Sequence, residues 1–449
     1  MIEIYYEWED SRNRQVVQEI GENIIDSITS SKPVESNSDY LGVRIDEIIW
    51  PYFSYQRNIG EKAIRMILVP LDRLGQSQGK SGSKVLLCYF EYDNMLPSIP
   101  MIIKREEKNQ SGKKFSHVNQ EFNNAQKIYP FIRRKDIFIL PFYKASLETV
   151  DFIVSNSIVN SPNRRIDMSN SHIETFMDRL RSFELQAFAG EDVEKKKEEL
   201  VETINFLYVC LRDLHLGPFV CNKSNVDKKE YLDEYKKYLR GMDDSNKKEK
   251  ICSFWCGKAR NPECHDCPVL AFEKVVNKEV PFHLGCIHGD FHPRNIVYLT
   301  VTSPIFNDVS IIDYGWADNL AHIAKDYVLM ECNLRFMSIS SRISPSRLRI
   351  LQKSIETETL MKNIKSCVNI YESGIYEMII CLRNSFFDTI KELNRNNQVD
   401  YNNIFYEEYV IPLFLVGYGL LKYYGESENQ LAHRIMLEEL AKYILQNEE

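Results

Sequence analysis

The 449-residue chain has few long apolar runs. The longest uncharged apolar stretch toward the C-terminus, Tyr409 to Leu421, is too short to span a bilayer and carries Pro412, so a buried helix is expected there and no membrane partner. Basic excess is missing too: the formal net charge is −8 and the sequence pI about 5.8, which argues against a broad phosphate-backbone binder, and no nucleic-acid partner is expected. The first residues, MIEIYYEWED, lack a basic region followed by an apolar core, so no secretory signal is read and a cytoplasmic location is expected. The cysteine count is 11, an odd number, and in a cytoplasmic chain thiols or metal ligands are expected instead of a disulfide framework. What is present is globular in character: 44% hydrophobic, 12% aromatic and 27% charged residues, in a chain long enough for two lobes.

The order of patterns predicts three regions. Residues 1–40 read as a polar extension with a short strand near Ile2–Trp8 and a linker at SSKPVESNSD. From 41 to 158 short runs rich in branched and aromatic residues dominate (66–71, 84–92, 100–106 and 136–143), interrupted by one helix around Val118–Ile128. Past the polar stretch 155–171 the periodicity turns helical, so 159–449 reads as a second lobe, with a charged, cysteine-bearing insertion at 218–280 and a helical region at 320–449.

The chemistry concentrates in CIHGDFHPRNIVY, where His288, Gly289, Asp290, His292 and Asn295 share one short loop. Phosphoryl transfer to a hydroxyl needs a carboxylate to take the proton and oxygen ligands to hold magnesium against the phosphates. Asp290 and Asn295 supply both kinds of group. Eighteen residues after Asn295, a β-type run in IIDYGWAD ends in Asp313, a position suited to a metal ligand. The pattern HGDxHxxN followed by apolar-Asp-aromatic resembles the catalytic and metal-binding loops of the aminoglycoside phosphotransferase, choline kinase and related small-molecule kinases. The resemblance implies a bilobal protein kinase-like α+β fold with an antiparallel five-stranded N-lobe, Asp290 as catalytic base, Asn295 and Asp313 as magnesium ligands, and His288 bracing the loop. His292, where protein kinases carry a different pattern, points toward small-molecule acceptors, whereas Tyr314-Gly315 is closer to the protein-kinase metal motif.

A nucleotide lobe of this type should add a glycine-rich cover and a lysine. Gly75, Gly79 and Gly82 in LGQSQGKSGSKVLL lie between two predicted strands, where backbone N–H groups could approach phosphate oxygens. Lys104 in PMIIKRE follows an apolar strand, as does the phosphate-pairing lysine of kinase-like folds, with Lys80, Lys84 and Arg105 as alternatives. Glu121, the only acid between Ser116 and Tyr129, is the natural ion-pair partner for Lys104. His215 in LRDLHLGPF is expected to pack or hydrogen-bond in the core, and Asp326 either braces the helix behind the metal loop or is an ordinary helix N-terminal acid.

A second constellation, CSFWCGKARNPECHDCP, spaces Cys252, Cys256, Cys264 and Cys267 so that four thiolates could close a structural zinc site. The expected activity is ATP- or GTP- and Mg2+-dependent phosphotransfer to a hydroxyl of a small molecule whose identity the sequence does not encode legibly. The alternatives are a nucleotide-binding regulatory module, with protein partners engaged through the helical C-terminal region, and a protein kinase.

Overall fold

The computed structural model describes residues 3–6, 63–70, 84–92, 101–107, 117–146, 150–156, 172–217, 226–242, 244–256, 266–300, 308–367, 369–394, 400–427 and 429–448. The fold is α+β, with small, largely antiparallel sheets and many helices. Two compact units can be separated. The first comprises 1–130, 134–174 and 297–316, and the second 131–133, 175–296 and 317–449. The division thus falls near 174 instead of 158, and the segment carrying Asp313, expected within the second lobe, belongs to the first unit.

In the first unit, a six-stranded sheet has the order β1 (Glu3–Tyr6), β2 (Ala63–Pro70), β3 (Lys84–Tyr92), β4 (Met101–Glu107), β6 (Val150–Asn156), β5 (Pro141–Ser146). All neighbours pair antiparallel except β1 and β2, which are parallel. The run 136–143, read as one strand, divides. Asp136 and Ile137 lie in a turn, Phe138 makes an isolated bridge to Ile311, and the strand begins only at Pro141. Strand β6 was not anticipated, because its hydrophobic alternation runs on into the polar stretch that follows.

On β4, Met101 and Ile103 are buried while Lys104 leaves the opposite face, the period-2 alternation of a strand covered on one side. Helix α1 (His117–Ile128) lays Val118, Phe122 and Ala125 on a single stripe, and Val118 and Phe122 close a core with Ile153 of β6. Burying a side chain the size of Phe122 stabilises by about 1.5–3 kcal/mol. The carboxylate of Glu106 accepts from the Val118 backbone N–H at 3.0 Å, placing a negative charge at the helix N-terminus, where the helix dipole favours it.

The second unit is built mainly of helices α2 (Phe176–Ala189), α3 (Glu194–Leu216), α4 (Tyr231–Leu239), α5 (Ser245–Cys256), α6 (Pro268–Val275), α7 (Ala324–Cys332), α8 (Pro345–Lys353), α9 (Thr357–Ile364), α10 (Ile370–Leu393), α11 (Tyr401–Gly425) and α12 (Gln430–Asn447). A capping box starts α2: Thr175 Oγ1 accepts from Asp178 N while the Asp178 carboxylate accepts from Thr175 N. A sheet of β8 (Val226–Glu230), β9 (Glu279–Ile287) and β12 (Asp318–His322) sits among the helices. Glu408 of α11 ties to β9 by accepting from the His283 backbone N–H at 2.8 Å.

One expectation is corrected here. The stretch after about 320 is not wholly helical, since β12 opens it. The segment read as an insertion contributes to the core. YLDEYKKYL places Tyr231, Tyr235 and Tyr238 at i, i+4 and i+7 on one buried face of α4, so a segment that reads as charged contributes three large aromatic rings to the core. Helix α11 packs so closely on α4 that a Cβ at Gly419 would lie 2.6 Å from the Tyr238 carbonyl oxygen. Tyr401–Gly425 is the one helix among the described residues long and apolar enough to cross a membrane by length and composition, and 72% of its most apolar window is buried within the fold.

Candidate active site

In the first unit, three charged side chains from distant parts of the chain converge. Lys104 Nζ lies 2.6 Å from Glu121 Oε2 and 3.2 Å from Asp313 Oδ2, so the ion pair expected from sequence is formed and Asp313 joins it. The elements explain the meeting. Lys104 occupies β4 between Val85 of β3 and Ile153 of β6, Glu121 lies one turn into the helix that Glu106 caps, and Asp313 ends the segment that begins at β11 (Asp308–Ile311). Asn124 of the same helix donates to the Gly315 carbonyl at 2.8 Å, and Tyr314 donates to the Ile311 carbonyl, fixing the turn that carries Asp313.

Asp313 is the only non-glycine residue among those described with a positive φ, at +67°. Aspartate tolerates this left-handed region better than most residues, and such strain gathers at functional sites. Its Oδ1 accepts from Gly315 N at 3.3 Å, a local turn that directs the carboxylate. Burial opposes the charge on Lys104, but the carboxylates of Asp313 and Glu121 outweigh it and hold the ammonium above its ordinary range. Burial also pushes Glu121 up to about 7, against the pull of Lys104 and with the repulsion of Asp313 added. One ammonium between two carboxylates leaves an excess of negative charge.

In the second unit, β9 ends at Ile287 and the chain turns through His288, Gly289 and Asp290. Gly289 has φ +79°, which glycine adopts without a Cβ penalty. The turn is held from beneath by one carboxylate: Asp326 Oδ2 accepts from His288 N at 2.9 Å and Oδ1 from Gly289 N at 2.7 Å, while His215 Nε2 lies 3.0 Å from Oδ2. Asp326 is an acid in the first turn of α7, and what it braces is the 288–289 turn, not the helix behind the metal loop; His215 is its core partner. Tyr238 donates to the Gly289 carbonyl at 2.6 Å, a contact foreshadowed only by the tyrosine spacing on α4.

Inside the loop, Asp290 N donates to His288 Nδ1 at 3.3 Å, and Asn295 Nδ2 donates to the Asp290 carbonyl at 2.8 Å. His292 Nδ1 accepts from Arg294 N, and its Nε2 stands 3.7 Å from Asp290 Oδ2, an electrostatic distance without a direct hydrogen bond. Phe291 is buried with its ring against Tyr208, while the Asp290 carboxylate keeps 29% of its surface exposed. Close approach behind the loop also needs Gly285, where a Cβ would meet the His215 carbonyl oxygen at 2.6 Å and Ile323 at 2.8 Å.

The amide oxygen of Asn295 in the second unit and the carboxylate of Asp313 in the first are each a hard oxygen donor of the type that suits a magnesium-class cation. Gly75, Gly79, Gly82, Cys264 and the side chain of Cys256 lie outside the described residues. Among the described residues no group of three or more His, Cys, Asp or Glu forms a ready metal cluster. No family model matches the sequence, and no curated protein matches it.

Proposed function

We propose that the chain is an ATP- and Mg2+-dependent phosphotransferase of protein kinase-like, bilobal architecture that moves the γ-phosphoryl group to a hydroxyl of a small molecule. The observation that carries this reading is Lys104, held by Glu121 and Asp313 across 17 and 209 residues of sequence. A buried ammonium between two carboxylates is a poor stability device unless something else needs the charge, and perturbed charged groups concentrate where ligands bind.

Lys104, positioned by Glu121, pairs with phosphate oxygens of the nucleotide. Asp313 and Asn295 are the residues that would hold magnesium, which when bound supplies positive charge against the phosphates. Asp290 takes the proton of the acceptor hydroxyl as its oxygen bonds to the γ-phosphorus, the bond from phosphorus to the bridging oxygen breaks, and the nucleoside diphosphate leaves with that electron pair. His288, through Asp290 N, and Asn295, through the Asp290 carbonyl, keep the base in place. Rigid positioning of this kind is where most of the acceleration of phosphoryl transfer resides.

The test is incubation with ATP labelled at the γ-phosphate and magnesium, with metabolite pools as acceptors. The expected outcome is label transfer or hydrolysis that falls by about 10²–10⁴-fold in Asp290→Ala, the range for removing a general base. Nucleotide binding without turnover in either protein across a broad acceptor pool would replace this reading with a regulatory binding module.

A further inference from the structure

The cysteine motif lies outside the proposed phosphotransfer chemistry, and the fold brings two of its members together. Cys252 on α5 and Cys267, the residue preceding α6, are 15 positions apart, are each 1% exposed, and place their sulfurs 3.7 Å from one another. That separation is too long for a disulfide, whose sulfurs bond at about 2.05 Å. It matches the edge of a thiolate tetrahedron: ligands about 2.3 Å from zinc at tetrahedral angles stand about 3.8 Å apart.

A second observation points to the same spot. Tyr418 of α11 is buried, stacks on Phe272 of α6 at 4.7 Å, and has no hydrogen-bond partner for its hydroxyl among the described residues. Cys252 and Cys267 lie close enough to act on it, and an unpartnered buried hydroxyl near sulfur is the kind of donor that supports a metal thiolate from outside the ligand shell. Short helices such as α6, with eight residues, also gain little from their own hydrogen bonds and depend on what pins their ends.

We propose that Cys252 and Cys267 are two ligands of a structural Zn2+ ion that fastens α5 to the start of α6. The same sequence motif carries Cys256 and Cys264, which are the candidates for the remaining ligands. A structural ion held by four protein ligands has no open coordination position, so the inference stands whether or not phosphotransfer is found.

The first measurement is the metal content of the full-length protein purified without chelator, together with the spectrum after exchange into Co2+. One zinc per chain, and a cobalt form showing sulfur-to-metal charge transfer with tetrahedral d–d bands, are expected. Cys252→Ser and Cys267→Ser should each lower zinc occupancy at least tenfold, while Cys381→Ser, a thiol elsewhere in the unit, should retain it. Because a ligand variant could simply fail to fold, the cobalt spectrum of the unaltered chain decides independently. Absence of zinc with both thiols alkylated in the native protein, a Cys252–Cys267 disulfide on mass mapping, or zinc retained in the double variant would each overturn the proposal.

Discussion

Two buried ion clusters, one in each unit, have opposite compositions. Around Lys104, one cation faces two carboxylates, and one of these, Asp313, keeps 36% of its side chain exposed. Around Glu331, one carboxylate faces two guanidinium groups, and all three side chains are essentially inaccessible. The second cluster is saturated: Glu331 accepts from Arg335, Arg383 and the Tyr409 hydroxyl at 2.6–2.9 Å, and the spare guanidinium hydrogens go to the carbonyls of Leu351, Ser354 and Ile355. Each guanidinium nitrogen there has a hydrogen-bond partner within the fold. The first cluster instead keeps a partly exposed carboxylate and an excess of negative charge, the arrangement we propose a ligand completes.

Removing Glu331 should break the contrast from the structural side. Glu331→Ala leaves two guanidinium groups buried without their carboxylate, and an unfolding free energy lower by about 3–5 kcal/mol is expected by denaturant titration. Lys104→Met should act the other way. Little change in midpoint is expected, with kcat/KM for phosphotransfer lowered by about 10²–10³-fold, the scale seen when one preorganised positive donor is lost. Comparable destabilisation in both variants would show that the Lys104 cluster is structural as well.

Acid separates the clusters by sign. Burial opposes the charge on Glu331, but Arg383 and Arg335 hold its carboxyl down to about 2. Its contribution is therefore present above pH 4.5 and lost as pH falls from there toward 2, a change of about 3 kcal/mol. Glu121, raised to about 7, binds its proton more tightly folded than unfolded, so stability of the first unit should decline as pH rises from 4.5 through 7. Hydrogen exchange followed across pH 3–8 should show the two trends on different peptides, and parallel trends would contradict the assignment. The smallest effect is expected from Tyr409→Phe, which removes one neutral donor to Glu331 and should cost about 1 kcal/mol in a thermal or urea melt.

Which of these features could be read from the sequence follows from their range. The Lys104–Glu121 pair was legible because residue type narrows the choice, Glu121 being alone among acids on its helix, whereas the contact of Lys104 with Asp313, 209 residues away, was not. The antiparallel strands and α1 were legible from their periodicity. The braces were not. Asp326 and Tyr238 reach the loop 288–290 from 37 and 51 residues away and bind backbone atoms, which carry no side-chain signature. Helix α4 misled because the lysines and acids between its tyrosines dominate the composition, while the buried face depends only on the i, i+4, i+7 spacing. Glu331, Arg335 and Arg383 gave no warning, since charged residues in helices are ordinarily solvated.

In the turn after β9, the N–H groups of His288 and Gly289 are spent on Asp326, the Gly289 carbonyl on Tyr238, the Asp290 N–H on the His288 ring and the Asp290 carbonyl on Asn295. With all three peptide N–H groups engaged inside the fold, what this turn presents to its surroundings is side chains, above all the partly exposed Asp290 carboxylate and His292 imidazole.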